Sequence, residues 1–148
     1  MGNRVLLSIA AGLLVSQGAL AGASEDFHAL LDEAWEWYLE QHPMVASRAG
    51  DRRYNTEWRD RSLAAIEVRH LQRRDFLRRA YAVDKSALSE TDQLNYELFR
   101  RDLQRRVDQH QFQGFLMPFN QRGGVQNLDG QASYLQFETV QDYEDWLE

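Results

Sequence analysis

The sequence predicts an all-α fold, an antiparallel array of amphipathic helices forming the N-terminal part of a larger helical protein. Three observations lead there. Apolar residues recur at three-to-four spacing over three long stretches. Serines suited to helix N-caps stand immediately before those stretches. Leu, Ala, Glu, Arg and Gln are abundant and there are only two prolines, a balance that suits helix better than sheet.

The first segment, residues 1–21, reads as a secretory signal peptide. Arg4 supplies a positive start, Val5 to Val15 is an apolar run broken only by Ser8 and Gly12, and Ala19-Leu20-Ala21 is a small-x-small cleavage pattern. Cleavage after Ala21 is expected, with Ala23 as the alternative site. A bilayer span needs about 20 apolar residues, so the run is too short for a stable membrane anchor. The expected location is therefore periplasmic or secreted. No Arg-Arg pair precedes the run, which points to general secretion of an unfolded chain.

The remainder, residues 24–148, is expected to be a helical segment. Ser24 can cap a helix from Glu25 to about Gln41, with Phe27, Leu30, Leu31, Ala34, Trp35 and Tyr38 on one face. Pro43 suits the first turn of a short helix, and Gly50 the left-handed residue that ends it. An aromatic-bearing loop follows from Asp51 to Asp60. Ser62 opens a long helix to about Val83, with Leu63, Ile66, His70, Leu77 and Tyr81 along one side. Ser89 with Asp92 resembles a capping box and starts another, striped by Tyr96, Phe99, Leu103, Val107 and His110. The short link between the two makes them antiparallel neighbours.

Periodicity fails over 111–138, an irregular segment containing Pro118, Gly123, Gly124 and Gly130, in which Tyr134 to Phe137 suits a short strand. Thr139 with Asp142 then caps a helix begun by Val140, Tyr143 and Leu147. That helix has barely started when the sequence stops at Glu148, so truncation at the C-terminus is expected.

Composition narrows the chemistry. The chain has no cysteine, which excludes disulfides, thiolate nucleophiles and cysteine-ligated metals. The formal charge is −6, and losing Arg4 with the signal makes it −7, so nucleic acid is not an expected partner. There is no H-E-x-x-H, G-x-S-x-G, P-loop or Rossmann fingerprint, and no catalytic residue is assigned.

Several constellations remain, each with a bland reading beside it. Glu25 with His28 and Glu67 with His70 have the E-x-x-H spacing of di-metal bundles, with Glu36 and Glu97 available as further carboxylates. Glu25, however, sits where a first-turn surface acid belongs. The repeated R-R-D-F-L-R-R (73–79) and R-R-D-L-Q-R-R (100–106) place Arg74 with Arg78, and Arg101 with Arg105, in basic stripes. Solvated faces laced by Asp75–Arg79, Glu97–Arg101 and Asp102–Arg106 pairs, worth about 0.2–0.5 kcal/mol each, explain them as well. Trp35, Trp37, Tyr38, Tyr54 and Trp58 read as core, or as a stacking surface for a ligand. His42 is expected to hydrogen-bond locally.

The best substrate-cleft candidate is Asn120-Gln121-Arg122-Gly123-Gly124. Paired glycines allow close backbone approach to a ligand, and Arg122 can fork onto a carboxylate. A tight turn with Arg122 in a structural salt bridge fits the same residues.

Taken in order, these residues resemble a known family. Trp35-Glu36-Trp37-Tyr38, Pro43, Gly50-Asp51-x-Arg53-Tyr54, Trp58, Asp60 and Ser62 are similar to the opening of the bacterial domain-of-unknown-function family 885. Leu88-Ser89, Asp92, Asn95-Tyr96 and Leu98 resemble its next helix. Pro118-x-Asn120-Gln121-Arg122-Gly123-Gly124 and Thr139-Val140-x-Asp142-Tyr143 continue the match. The resemblance implies a large, mostly helical, often exported protein, a zinc metallopeptidase-like hydrolase acting on a peptide or small-molecule substrate. The family's zinc-binding histidine-glutamate segment lies downstream of the region matched, so no ligand or catalytic residue carries over to this chain. The alternatives are a self-contained helical module binding a ligand or protein and, more remotely, a di-metal bundle.

Overall fold

The computed structural model describes residues 4–117, 124, 130, 133, 135 and 137–147, with side chains described from Gly22 onward. Among the described residues five α-helices follow one another: α1 (Arg4–Glu40), α2 (Pro43–Arg48), α3 (Leu63–Ala82), α4 (Glu90–Gln109) and α5 (Val140–Leu147). Among the described residues there is no strand, and Leu135 and Phe137 carry none in the stretch where one was expected. None of the described helices is long and apolar enough to cross a membrane.

The caps of α3 and α4 follow the sequence. Ser62 Oγ accepts from the Ala65 N–H at 3.2 Å, and Ser89 Oγ from the Asp92 N–H at 3.1 Å. Each satisfies a donor that the first helical turn leaves without an intrahelical partner. Pro43 occupies the start of α2, and Gly50, at φ +84°, turns the chain after it.

Ser24 departs from its expected role. Helix α1 runs through it from Arg4, because the preceding Ala19, Leu20, Ala21 and Ala23 are mostly strong helix formers. Ser24 instead turns its hydroxyl sideways, donating to Asp92 Oδ2 at 2.8 Å. His28 Nε2, one turn on, lies 2.8 Å from Asp92 Oδ1, and the Ser89 hydroxyl donates to Oδ2 at 2.9 Å. Asp92 is buried and joins the first turn of α4 to the side of α1. Hydrogen bonds from His28, Ser24 and Ser89 hold its carboxyl at about 2.

The core lies where α1, α3 and α4 meet. Leu30 and Ala34 of α1 pack on Phe76, Leu77 and Ala80 of α3 and Leu103 of α4. A second cluster, Phe27, Leu88 and Tyr96, shares Val83 and Phe99 with the first as bordering residues. Phe76 is fully buried, its ring 5.5 Å from that of Trp37. The buried line of α3 is therefore Arg69, Phe76, Leu77 and Ala80. Of the expected line, Leu77 is buried and Ile66 and His70 are half-buried, while Leu63 and Tyr81 at its ends are exposed. Phe76 brings the most apolar area and Ala80 lets α1 approach, so they fix the rotation.

Helix α5 is likewise turned. Val140, Tyr143 and Leu147 are exposed, and Asp142 is the buried residue. Its Oδ2 accepts the Thr139 N–H at 2.8 Å and the Glu138 N–H at 2.9 Å, and its Oδ1 lies 3.0 Å from Arg52 Nε. An acid buried this way is paired and hydrogen-bonded, as burial of charge requires.

Two stability outcomes follow. Phe76→Ala is expected to lower the free energy of unfolding by about 3–5 kcal/mol in urea titrations; a loss near zero contradicts Phe76's place at the centre of the core. The folded pKa of Asp92 lies below its unfolded value of about 3.9, so its contribution is present above pH ~4 and fades as pH falls toward 2. Asp92→Asn is expected to flatten the fall in stability over that acid window, read by circular dichroism melts. An unchanged profile removes the assignment.

Candidate functional site

The residues that gather a site lie on α3, the end of α4 and the loops beside them. The Ser62 cap fixes where α3 begins, and from there Arg69 and Arg73 project one turn apart on the side facing α4. Together with Arg59, Arg61 and Arg106 they line a cleft of about 780 Å³. Ile66, Phe115, Leu116 and Met117 add apolar surface to the same lining. The volume is in the range of small-molecule and short-peptide sites.

Four of these arginines lack a close ion pair, Asp60 acting on Arg69 and Asp102 on Arg73 only from a distance. Among the described residues, Arg59, Arg61, Arg69 and Arg73 have no carboxylate within 4 Å, whereas Arg52, Arg53, Arg78, Arg79, Arg100, Arg105 and Arg106 each have one. Arg69 is only 3% exposed, and among the described residues its one hydrogen bond goes to the Asp60 carbonyl at 2.7 Å. Arg73 lies over the Trp37 ring. Arg59, exposed at the rim, is still partly desolvated by the cleft; that burial and the neighbouring Arg69, Arg73 and Arg61 pull its pKa down to about 10. Burial, then Arg106 and Arg69, depresses Arg73 in the same direction.

At one end of the cleft, the His70 and His110 rings stack with centroids 3.8 Å apart. His110 Nε2 lies 3.1 Å from Glu67 Oε2. His70 Nδ1 is buried without a hydrogen-bond partner, and burial followed by the His110 ring lowers the His70 pKa.

Asn120, Gln121, Arg122 and Gly123 lie outside the described residues. Gly124, at φ +138°, borders the arginine cleft. Glu25 is exposed while His28 is held by Asp92, so that pair points apart. Glu36 pairs with Arg53 at 2.8 Å. Glu97 binds Lys85 at 2.7 Å and Arg100 at 2.9 Å, not Arg101. The two E-x-x-H pairs and these carboxylates therefore do not converge.

A zinc ion, implied by the resemblance, finds no fit among the described residues. No three of their His, Asp and Glu side chains gather as a metal site. In Glu67, His70 and His110 the two rings lie stacked, 16° between their planes, and the His110 Nε2 is taken up by Glu67.

A second, smaller cleft of about 260 Å³ separates α2 and its following loop from α5. Trp58 and Trp146 meet there at 5.2 Å, and Arg52 bridges Asp142 and Glu138. Arg52 is held by both carboxylates, so the cleft works as a clamp on α5. Of the five aromatics singled out in the sequence, Trp37 borders the core, while Trp35 and Trp58 are exposed. His42 does bond locally, Nδ1 to the Tyr38 carbonyl at 2.8 Å.

The sequence match that bears on this architecture covers residues 43–148 and is to the family described as "Bacterial protein of unknown function (DUF885)". The chain belongs to this family. Of the residues that suggested it, Trp35 to Tyr38 lie ahead of the matched range, and the rest lie within it. No curated protein and no solved structure matches the chain.

Sequence reading passed over Arg59, Arg61, Arg69 and Arg73 in favour of Arg74, Arg78, Arg101 and Arg105. A signal was present. Neither Arg69 nor Arg73 has an acid three or four residues away on either side, so neither has a partner on its own helix. If the cleft cations repel one another as described, Arg59→Met raises the urea midpoint at low ionic strength, and added salt shrinks the gain. A lowered midpoint at both salt levels contradicts that repulsion.

Proposed function

We propose that this DUF885 chain supplies substrate-holding structure to an exported, peptidase-like hydrolase, with bond cleavage carried out by groups outside the described residues. What supports the reading is a cleft of peptide-binding size bordered by Gly124, the described member of the glycine pair in the family-like segment. The hydrolase character rests on the family resemblance, and export on the three-zone pattern of residues 1–21.

The division of labour is physical. Catalysis of peptide hydrolysis needs an activated water and a stabilised oxyanion. The arginine cleft offers fixed positive charge beside apolar surface, which orients a substrate and leaves a scissile bond untouched. The competing reading, a self-contained binding module, draws on the two clusters joined through Val83 and Phe99 into a continuous core. It shares the cleft and differs in requiring no further polypeptide.

Two measurements test the proposal. Produced from its first codon in a bacterial host, the chain should be recovered outside the cytoplasm beginning at Gly22 or Ser24; a product retained inside with its leader intact overturns export. With zinc added, the purified chain should release no amino acid from short peptides, yet those peptides should raise its melting temperature. Hydrolysis by the chain itself overturns the division of labour, and absence of any peptide effect overturns the substrate-holding role.

A further inference from the structure

We infer that the arginine cleft is a carboxylate-binding site, built to take the free C-terminal end of a peptide whose last side chain is apolar. This deepens the substrate-holding reading above and rests on it for the peptide; the requirement for an anion stands on the cleft alone.

The argument begins with Arg69. A guanidinium at 3% exposure, with a backbone carbonyl as its hydrogen-bond partner and no carboxylate within 4 Å among the described residues, is a buried charge whose counter-ion, Asp60, acts only from a distance. Burying a charge unpaired is among the most costly arrangements a protein can hold. Arg73 and Arg59 add to the cost, because each is partly desolvated beside the others. An external anion relieves all three at once.

The shape of the cleft selects among anions. Guanidinium groups present forked N–H donors that match a planar carboxylate in bidentate fashion. Phe115, Leu116 and Met117 line the same cleft and are apolar, so the ligand carries a hydrophobic group next to its charge. A C-terminal residue such as phenylalanine or leucine has both within a few bonds. A polyanion does not fit: the chain as a whole is −6 and repels an extended run of phosphates. Free phosphate matches the cations and leaves the apolar wall bare.

Isothermal titration of the purified chain distinguishes these ligands. The probes are N-acetyl-alanyl-phenylalanine as the free acid, the same compound as its C-terminal amide, and inorganic phosphate. The acid should bind, the amide should bind at least about tenfold more weakly for loss of a charge-assisted pair, and phosphate should compete only weakly. Arg73→Met and Arg59→Met should each weaken acid binding by about tenfold, while Arg101→Met on the outer face of α4 should not. Arg69→Met is expected to abolish binding; because its position is buried, a circular dichroism melt accompanies it, and the two rim variants keep the test decisive if it does not fold. Equal binding of acid and amide, or wild-type affinity in both rim variants, overturns the carboxylate site while leaving the substrate-holding role to stand on peptide binding of another kind. Phosphate binding as tightly as the acid overturns the peptide end as ligand.

Discussion

The arrangement of the helices depends on one buried carboxylate. Asp92 closes the N-terminal turn of α4 through Ser89 and receives Ser24 and His28 from α1. A helix start is a concentration of N–H donors and positive dipole, so an acid there is stabilised before any neighbour arrives. With three side chains donating to it, the carboxylate also sets how α1 lies across α4. Phe27 and Tyr96 then meet edge-on beside it, centroids 6.1 Å apart, and the larger cluster around Phe76 fills in below.

Against that satisfied hub, the cleft between α3 and the end of α4 is left under tension. The same chain that gives Asp142 several donors, and pairs Arg79 with Glu33 between α1 and α3, leaves four arginines beside one another with no carboxylate within 4 Å among the described residues. Such imbalance is typical of places where a protein meets something else, since free energy forgone in the unliganded state is recovered on binding. The apolar residues that share the lining with these cations give the site a mixed character, and a ligand must answer both kinds of surface to gain the full effect.

Much of the fold was legible because local chemistry and global packing agree there. Ser62, Ser89, Pro43 and Gly50 do what isolated helix signals ask of such residues, and the stripe of α4 through Tyr96 and Leu103 is the one the core uses. Legibility ended where a position's neighbours, not its type, decide its fate. Arginine at position 69 reads as surface, yet the rotation fixed by Phe76 and Ala80 carries it inward. Val140, Tyr143 and Leu147 read as core, yet the Arg52–Asp142 pair turns α5 so that they face out. The site was only partly legible for the same reason. Gly124 was reachable from its glycine pair, but the convergence of Arg59 and Arg61 with Arg69 and Arg73 depends on how the loop before α3 folds back, which no spacing along one helix encodes.

The Asp92 hub also dictates an order of assembly. Helices α3 and α4 are joined by the few residues between Ala82 and Glu90, so their pairing closes a short loop. The contacts of Ser24 and His28 with Asp92 span 68 and 64 residues, and such closures are entropically slower to reach. The hairpin of α3 and α4 therefore has time to form while α1 is still searching. The earliest helix to leave the ribosome is the last to be seated.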